Sequence, residues 1–395
     1  MLGEKGTMKL KNLIIPFFLL ANITAFCFSG ESSYTTIAVY DNQIPENIAI
    51  NEKFTGGHPK VLDYVFIRSR QGNLREEPNT KAKIIKKYPY NTKLIAIKKV
   101  DFYGNAWYQV KDENGTEGYI SANIVRKRTF RFQKAIDKIN YLEKFIITQE
   151  KLGREVASTS SYVPNPNNVN FKRAKDKYGT SLDQSVIGKD INTGEEIYIP
   201  DRSVLGIIKK GPHKSIVKVA SIKEELEIDN SKISRKPSVV PDFKKVIAID
   251  VTNQNMIVFE KKADVWEVIS YVYSKTGIES QLGFETPKGF FISPMAKYVM
   301  PFNGEGGEQQ GYARFAIRFS GGGYLHGTPF NFSESINKEF FMKQKEQTLG
   351  TFTGTRKCIR TTEKHAKFLF NWMVPNPNHN INVQPKTDKV MFVIF

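Results

Sequence analysis

Gly354-Thr355-Arg356-Lys357-Cys358-Ile359-Arg360 holds the one cysteine that remains once the first thirty or so residues are read as an export signal. A thiol without a disulfide partner, set beside fixed cations, has a physical reason to ionise. Upstream, Tyr324-Leu325-His326-Gly327-Thr328 places a histidine among glycine and small residues, where it could act as the base such a thiol needs. Free cysteine is also one of the most commonly buried residue types, behaving as a small hydrophobe. The rest of the chain decides between the two readings.

The N-terminus has the parts of a secretory signal. Lys9 and Lys11 supply a positive start, and Leu13 to Phe28 is largely apolar without charge. Cleavage is expected among Ser29 to Ser33, giving a signal peptide over residues 1–30, with Cys27 leaving in it. The other reading, a single-pass anchor, needs about twenty apolar residues, which this run approaches without reaching. Export predicts a periplasmic or wall-associated protein, and in an oxidising compartment a single cysteine is more readily a used one than a structural one. The formal charge is +18; removing residues 1–30, with three lysines and one glutamate, leaves +16. That balance suits an anionic wall or membrane surface, and export excludes nucleic acid as the partner; scattered lysines that merely keep the protein soluble account for it equally well.

At 395 residues the chain is too long for one core. Polar breaks at Asn42 to Pro59, Ser158 to Asn170 and Asp229 to Pro241 divide it. We expect a linker over 31–57, a small β domain over 58–128, a connecting helix over 129–157, a linker with a possible second module over 158–240, and a catalytic part over 241–395. Within 58–128, short apolar runs at Val65–Ile67, Ile84–Lys86, Leu94–Ile97, Trp107–Val110 and Gly118–Ile120 read as strands, and Asn114-Gly115 is a hairpin signal because both residues tolerate positive φ. Phe132, Ile136, Ile139, Leu142, Phe145 and Ile146 recur at helical spacing over about Arg131 to Lys151, the pattern of a core-facing helix.

Leu74-Arg75-Glu76-Glu77-Pro78-Asn79, the aromatic strand Trp107-Tyr108-Gln109-Val110 and the ending Gly115 to Val125 together resemble a bacterial SH3-like domain. The resemblance implies either a wall-targeting or peptide-binding module or a spacer. Glu196–Pro200, Val204–Ile208, Ser215–Val219 and Leu226–Asp229 are similar to its second half in order and spacing, which predicts a divergent second copy.

The C-terminal part opens with two strands around a polar turn, Val246 to Glu260. It continues through Val268 to Ser274, Glu285-Thr286-Pro287-Lys288-Gly289, Phe315 to Phe319, His326-Gly327-Thr328, Gly350, and Thr355 to Arg360, and then a helical Glu363 to Trp372. In this order it resembles the YkuD-type L,D-transpeptidase family over nearly all of 241–395. The implied fold is mainly β, with SH3-like small barrels followed by a β-sheet catalytic domain with few helices. The implied activity is cross-linking of peptidoglycan stem peptides. Cys358 would attack the carbonyl of a diamino-acid residue with His326 as base, expel the terminal D-alanine, and pass the acyl group from its thioester to an amine of a second stem. The resemblance also implies an oxyanion site at the main chain around Lys357 and Cys358, and a carbonyl of Gly327 or Thr328 orienting His326. It gives Arg360 a role in holding a substrate carboxylate or bracing the loop by a carboxylate pair, and Thr355 is placed on the substrate side; Tyr324, just before the histidine, is either a substrate-side pocket wall or an ordinary strand aromatic. No cofactor and no metal are expected.

Two departures stand out. The family's usual Ser-His-Gly-Cys is Thr355-Arg356-Lys357-Cys358 here, so Lys357 crowds the site if that glycine takes a positive φ. Pro329 to Thr348 lengthens the gap between His326 and Cys358 and reads as an inserted flap. His365 and His379 lack the paired spacing of a zinc site and are expected on the solvated surface. Gly304 to Gly311 and Gly321-Gly322-Gly323 read as turns, since neither has the context of a phosphate loop. An L,D-carboxypeptidase using water as acceptor, and a wall-binding protein that has lost catalysis, are the alternative functions.

Overall fold

The protein is described from a computed structural model that covers residues 34–59, 61–160, 174–182, 184–280, 283–304, 306–386 and 389–395. The expected signal segment, Cys27 and most of the Ser158–Asn170 break lie outside those residues. Four β-sheets dominate, with three α-helices among the described residues: α1 (Phe132–Lys151), α2 (Lys338–Gln347) and α3 (Glu363–Met373). The mainly-β expectation holds.

The N-terminal sheet is built on Asp63–Ile67, Gln71–Arg75, Ile84–Pro89, Lys93–Phe102, Asn105–Lys111, Glu117–Ser121 and Val125–Thr129. The Asn114-Gly115 turn joins two of these strands, with Gly115 at φ 88°. The middle sheet uses Glu155–Thr159, Ser185–Asp190, Glu196–Pro200, Val204–Lys210, Lys214–Val219, Glu225–Asp229 and Ile233–Ser234. Numbered from its own first strand, each sheet runs in the order 3-2-6-5-4-1-7, and each has a 3-10 turn between its sixth and seventh strands. Each has its own apolar core, around Val65, Leu74 and Val110 in one and Val186, Ile199 and Val217 in the other.

Residues expected as linker are partly woven into these sheets. Thr35–Val39, rich in β-branched side chains, pairs antiparallel with Lys93–Phe102, Ala49–Ile50 adds a parallel edge to a C-terminal strand, and Phe54 is buried in the C-terminal core. The middle sheet likewise begins at Glu155, inside the span expected to be helical; α1 itself ends at Lys151, and Gly153, at φ 67°, turns the chain.

Nine strands of the C-terminal part are numbered here: β1 (Lys245–Asp250), β2 (Asn255–Lys262), β3 (Val265–Tyr273), β4 (Gly289–Ile292), β5 (Met295–Asn303), β6 (Gln309–Ser320), β7 (Gly323–His326), β8 (Ile359–Arg360) and β9 (Val390–Ile394). They form two sheets, ordered β3-β2-β1-β9-β4 and β8-β7-β6-β5. Ile247, Ile249, Phe291 and Phe392 of the first pack against Phe315, Ile317, Phe319 and Leu325 of the second, with Leu369 and Phe370 of α3. The alternate residues Val246, Ala248, Met391 and Val393 face the other way, onto Ile139, Leu142 and Ile146 of α1 and Phe66 of the N-terminal sheet. Both faces of β1 are therefore buried, which is why Val246–Ile249 is an unbroken apolar run. Arg131, at the start of α1, locks the arrangement by a bidentate pair with buried Asp250 (2.6 and 2.7 Å).

Candidate active site

Period-two geometry assembles the site. Leu325 and Ile359 point into the core, so their neighbours Tyr324 and His326 on β7, and Cys358 and Arg360 at β8, share the opposite face. The two strands are parallel, with His326 level with Arg360 and Leu325 level with Ile359. Cys358, just before this pairing, lies beside Tyr324, whose backbone N–H hydrogen-bonds its thiol.

His326 is buried, and its Nδ1 lies 2.6 Å from the Gly327 carbonyl. With that carbonyl accepting, Nδ1 carries the proton and Nε2 is left as the basic nitrogen. Burial lowers the His326 pKa to about 4, against the pull of the Gly327 carbonyl and with help from the Arg360 charge, so the ring is neutral at ordinary pH. Cys358 is half-buried, and its thiol donates to Gly322 O at 3.9 Å. Burial pushes the thiol up; the Tyr324 N–H and the charges of Lys357 and Arg360 pull it part of the way back. The resting pair is therefore neutral thiol and neutral imidazole, and among the described residues no hydrogen bond joins them.

The loop before Cys358 is fixed from several sides. Thr276 O accepts from Gly354 N (2.9 Å) and Thr355 N (3.2 Å), and the Thr355 hydroxyl donates to Cys358 O. Thr355 is thus spent on the loop, not turned to a ligand. Thr286, of the Thr-Pro-Lys-Gly turn, donates to Lys357 O (2.7 Å) and accepts from Gly277 N (2.7 Å). Gly277 must be glycine, since a Cβ there would sit 2.3 Å from Phe284 O and 2.7 Å from the Lys357 backbone. Thr328 turns to Glu346 of α2 (2.8 Å), tying the His326 strand to the inserted flap, which is a 3-10 turn (Phe332–Asn337) followed by α2.

Lys357 takes φ 88°, the left-handed conformation that costs a non-glycine residue roughly 1–2 kcal/mol. Its side chain runs inward, nearly fully buried, and the amine donates to Gln184 Oε1 (2.8 Å), in the turn that enters the middle-sheet strand Ser185–Asp190, and to Gly321 O. Buried Asp201 faces the same region and pairs with Arg318 of β6 (2.8 Å). Desolvation lowers the Lys357 pKa to about 7, opposed by Asp201. Sequence patterns gave no sign of Gln184 or Asp201, because the docking of the middle sheet brings them against Lys357 and Arg318.

Arg360 forms no ion pair among the described residues, and its buried Nε has no hydrogen-bond partner there. Bracing by a carboxylate, one of its two expected roles, thus finds no ion-pair partner among the described residues. Tyr324 is half-buried under Lys297, whose amine lies 5.4 Å from the ring centroid.

His365 corrects an expectation. It is fully buried, not solvated, between Ser270 Oγ (3.0 Å) and Thr361 Oγ1 (3.3 Å), and burial lowers its pKa to about 3. Its place on the inner face of α3, packed against Phe54, removes it from contact with the thiol. His379 is exposed and stacked on Tyr298 at 4.4 Å. Among the described residues no group of three or more His, Cys, Asp or Glu is placed to hold a metal, and no helix is long and apolar enough to cross a membrane.

Comparison with known proteins agrees with this organisation. A family profile for the bacterial SH3 domain matches residues 70–125, and one for the L,D-transpeptidase catalytic domain, YkuD, matches residues 244–390. No curated protein matches the chain. Among solved structures, it is similar to a fused Zn-dependent amidase/peptidase/peptidoglycan-binding domain-containing protein from Clostridium acetobutylicum (15% identity, 38% of this chain and 52% of that one, TM-score 0.24). It is also similar to an L,D-transpeptidase from Stackebrandtia nassauensis (15%, 39% and 56%, TM-score 0.24) and to one from Mycobacterium smegmatis (13%, 61% and 99%, TM-score 0.26). The chain spans about half the length of the first two. Residues 244–390 are an L,D-transpeptidase catalytic domain of the YkuD family, and residues 70–125 are a bacterial SH3 domain.

Proposed function

We propose that the protein is a peptidoglycan L,D-transpeptidase with Cys358 as nucleophile and His326 as general base. The observation that carries this reading is the single face shared by Cys358, His326, Tyr324 and Arg360 on two paired strands. On substrate binding, the thiol turns from Gly322 O toward His326 Nε2 and gives up its proton as Sγ attacks the carbonyl carbon of the donor stem's diamino-acid residue. The oxyanion is held by main-chain N–H groups at Lys357 and Cys358. Collapse breaks the peptide bond, and His326 returns the proton to the departing D-alanine amine. An amine of a second stem then attacks the thioester, losing its proton to His326, and the thiol reforms as the cross-link is released.

Arg360, charged, beside the thiol and without an ion-pair partner among the described residues, is suited to the donor's carboxylate. Tyr324 walls the pocket. The middle sheet, with the strand order of the N-terminal one, is read as a second, divergent SH3-like module within 158–240, after the SH3-like region 58–128 and the helix of 129–157 and before the catalytic part, 241–395. Residues 1–30 are read as the signal that exports the protein to the periplasm or wall.

Incubation of the full mature protein with purified muropeptides, read by mass, tests the proposal. Cross-linked dimers are the expected product. Tripeptides alone would assign an L,D-carboxypeptidase, and unchanged muropeptides would assign a binding protein. A carbapenem adduct that persists in Cys358→Ala would move the nucleophile elsewhere.

A further inference from the structure

Beyond the thiol face lies a cleft of about 1150 Å³, enclosed by α1, the middle sheet and the segment leading into β4. Its walls include Lys357, Thr276, Gly277 and Thr286, which hold the loop before Cys358, but none of Cys358, His326, Tyr324 or Arg360, so it adjoins the site already described without including the thiol face. The volume exceeds the usual range for a small-molecule pocket, roughly 300–1,000 Å³, and suits a length of polymer.

Charge selects the polymer. Lys134 and Lys138 stand one turn apart on α1, Lys218 and Lys223 come from the middle sheet, and Lys288 from the Thr-Pro-Lys-Gly turn. The walls hold two carboxylates, Asp176 and Glu285. Asp176 is occupied by the backbone N–H groups of Tyr178 (3.0 Å), Thr180 (2.8 Å) and Tyr198 (2.9 Å). Six lysines, Lys357 included, against these two side-chain carboxylates leave the cleft with an excess of cations. Lys134 registers this, its pKa lowered by desolvation and by the charges of Arg131, Lys138 and Lys288, with Asp250 in opposition. The floor is rigid: Tyr141 stacks on Phe290 (5.4 Å between centroids) and donates its hydroxyl to Ala220 O at 2.9 Å. Cations converging from three separate elements on one cleft repel one another, and an anionic chain relieves that repulsion.

We propose that this cleft binds a linear polyanion, a chain carrying repeated phosphate or carboxylate groups, through Lys134, Lys138, Lys218, Lys223 and Lys288. The proposal goes beyond the transpeptidase reading and does not require it. The competing account is diffuse attraction to a mature chain of net charge +16.

The test titrates the full mature protein with inorganic polyphosphate, poly-L-glutamate and neutral dextran at about 0.15 M salt and again at about 0.5 M. The triple variant Lys134→Glu, Lys138→Glu, Lys288→Glu is compared with a charge-matched variant at exposed lysines outside the cleft, Lys81→Glu, Lys87→Glu, Lys262→Glu. We expect the cleft variant to bind at least one polyanion on the order of tenfold more weakly, and the control to change less than about twofold. The polymer affected identifies phosphate or carboxylate as the ligand group. Equal weakening in both variants, or no polyanion binding by the unaltered protein, overturns the proposal. Thermal unfolding checks each variant, and the corresponding Lys→Gln set replaces any that fails to fold. Repeating the titration in Cys358→Ala separates this result from the fate of the transpeptidase reading, because binding in the cleft does not use the thiol.

Discussion

Lys357 Nζ donates to Gln184 Oε1 at 2.8 Å, joining the residue before the candidate nucleophile to the turn that enters the middle sheet, 173 positions earlier in the chain. The contact accounts for a lysine where the family pattern has glycine. The left-handed backbone at Lys357 is unfavourable for any side chain, and the buried amine offsets that cost by binding Gln184 and Gly321 O while Asp201 supplies opposite charge. The middle sheet thereby helps set where Cys358 stands.

If Gln184 positions the loop through Lys357, then Lys357→Met and Gln184→Ala each slow carbapenem acylation of Cys358, by roughly tenfold for Lys357→Met and less for Gln184→Ala. The double variant is no slower than Lys357→Met alone, since the two side chains act through one bond. Additive losses in the double-mutant cycle would show that Gln184 does not act through Lys357. Lys357→Gly relaxes the backbone yet also slows acylation, because it frees the loop from the sheet.

The acid–base assignment predicts a pH profile. With the His326 pKa lowered to about 4, acylation by the unaltered protein falls only on the acid side and is flat through neutrality. That acid-limb pKa belongs to the Cys–His pair, not to either residue alone. In His326→Ala the neutral plateau disappears, the rate drops by about 10²–10⁴ at neutral pH, and it climbs with alkalinity as the raised thiol ionises. An unchanged profile in the variant would remove His326 from the mechanism.

Much of this site was legible because it follows from alternation. The apolar positions Leu325 and Ile359 determine that Tyr324, His326, Cys358 and Arg360 lie on one face, and the run Val246–Ile249 declares a strand covered on both sides. What stayed hidden depends on docking between distant elements. Gln184 and Asp201 lie in polar turns with no pattern of their own. His365 looked like a surface histidine because its partners, Ser270 and Thr361, are unremarkable hydroxyls until α3 closes over β3. Residues 34–57 looked like linker because each strand they contribute is short and at an edge.

Burial of neutral His365 predicts acid sensitivity. Its folded pKa, about 3, lies below the ordinary 6.5, so the unfolded chain binds a proton that the folded one refuses. The stabilisation is complete above 6.5 and is lost as pH falls toward 3, with a slope of up to about 1.4 kcal/mol per pH unit from this group. His365→Asn lowers stability at neutral pH but flattens the slope across that window, as read from denaturant midpoints. An equally steep slope in the variant would assign the acid sensitivity to other groups, His326 first.

The catalytic part should not stand alone. Val246, Ala248, Ile257, Phe259, Val268, Met391 and Val393 form a face covered by α1 and the N-terminal sheet. Asp250 would lose its bidentate partner Arg131. The end of the flap is clamped from the same side, with Tyr64 donating to Gly350 O (2.7 Å), Arg128 to Thr351 O (3.0 Å) and Lys93 to Gln347 O (3.0 Å). Exposing several fully buried apolar side chains, each contributing about 1.5–3 kcal/mol, removes an amount comparable to the whole 5–15 kcal/mol by which a domain is ordinarily stable. A chain starting at Pro241 is therefore expected to be insoluble, or soluble without a cooperative unfolding transition, and to form no carbapenem adduct. Co-expression with residues 34–240 as a separate chain should restore both. If Pro241–Phe395 alone unfolds cooperatively and acylates at the rate of the whole protein, the N-terminal sheets are accessories to the wall, not parts of the catalytic fold.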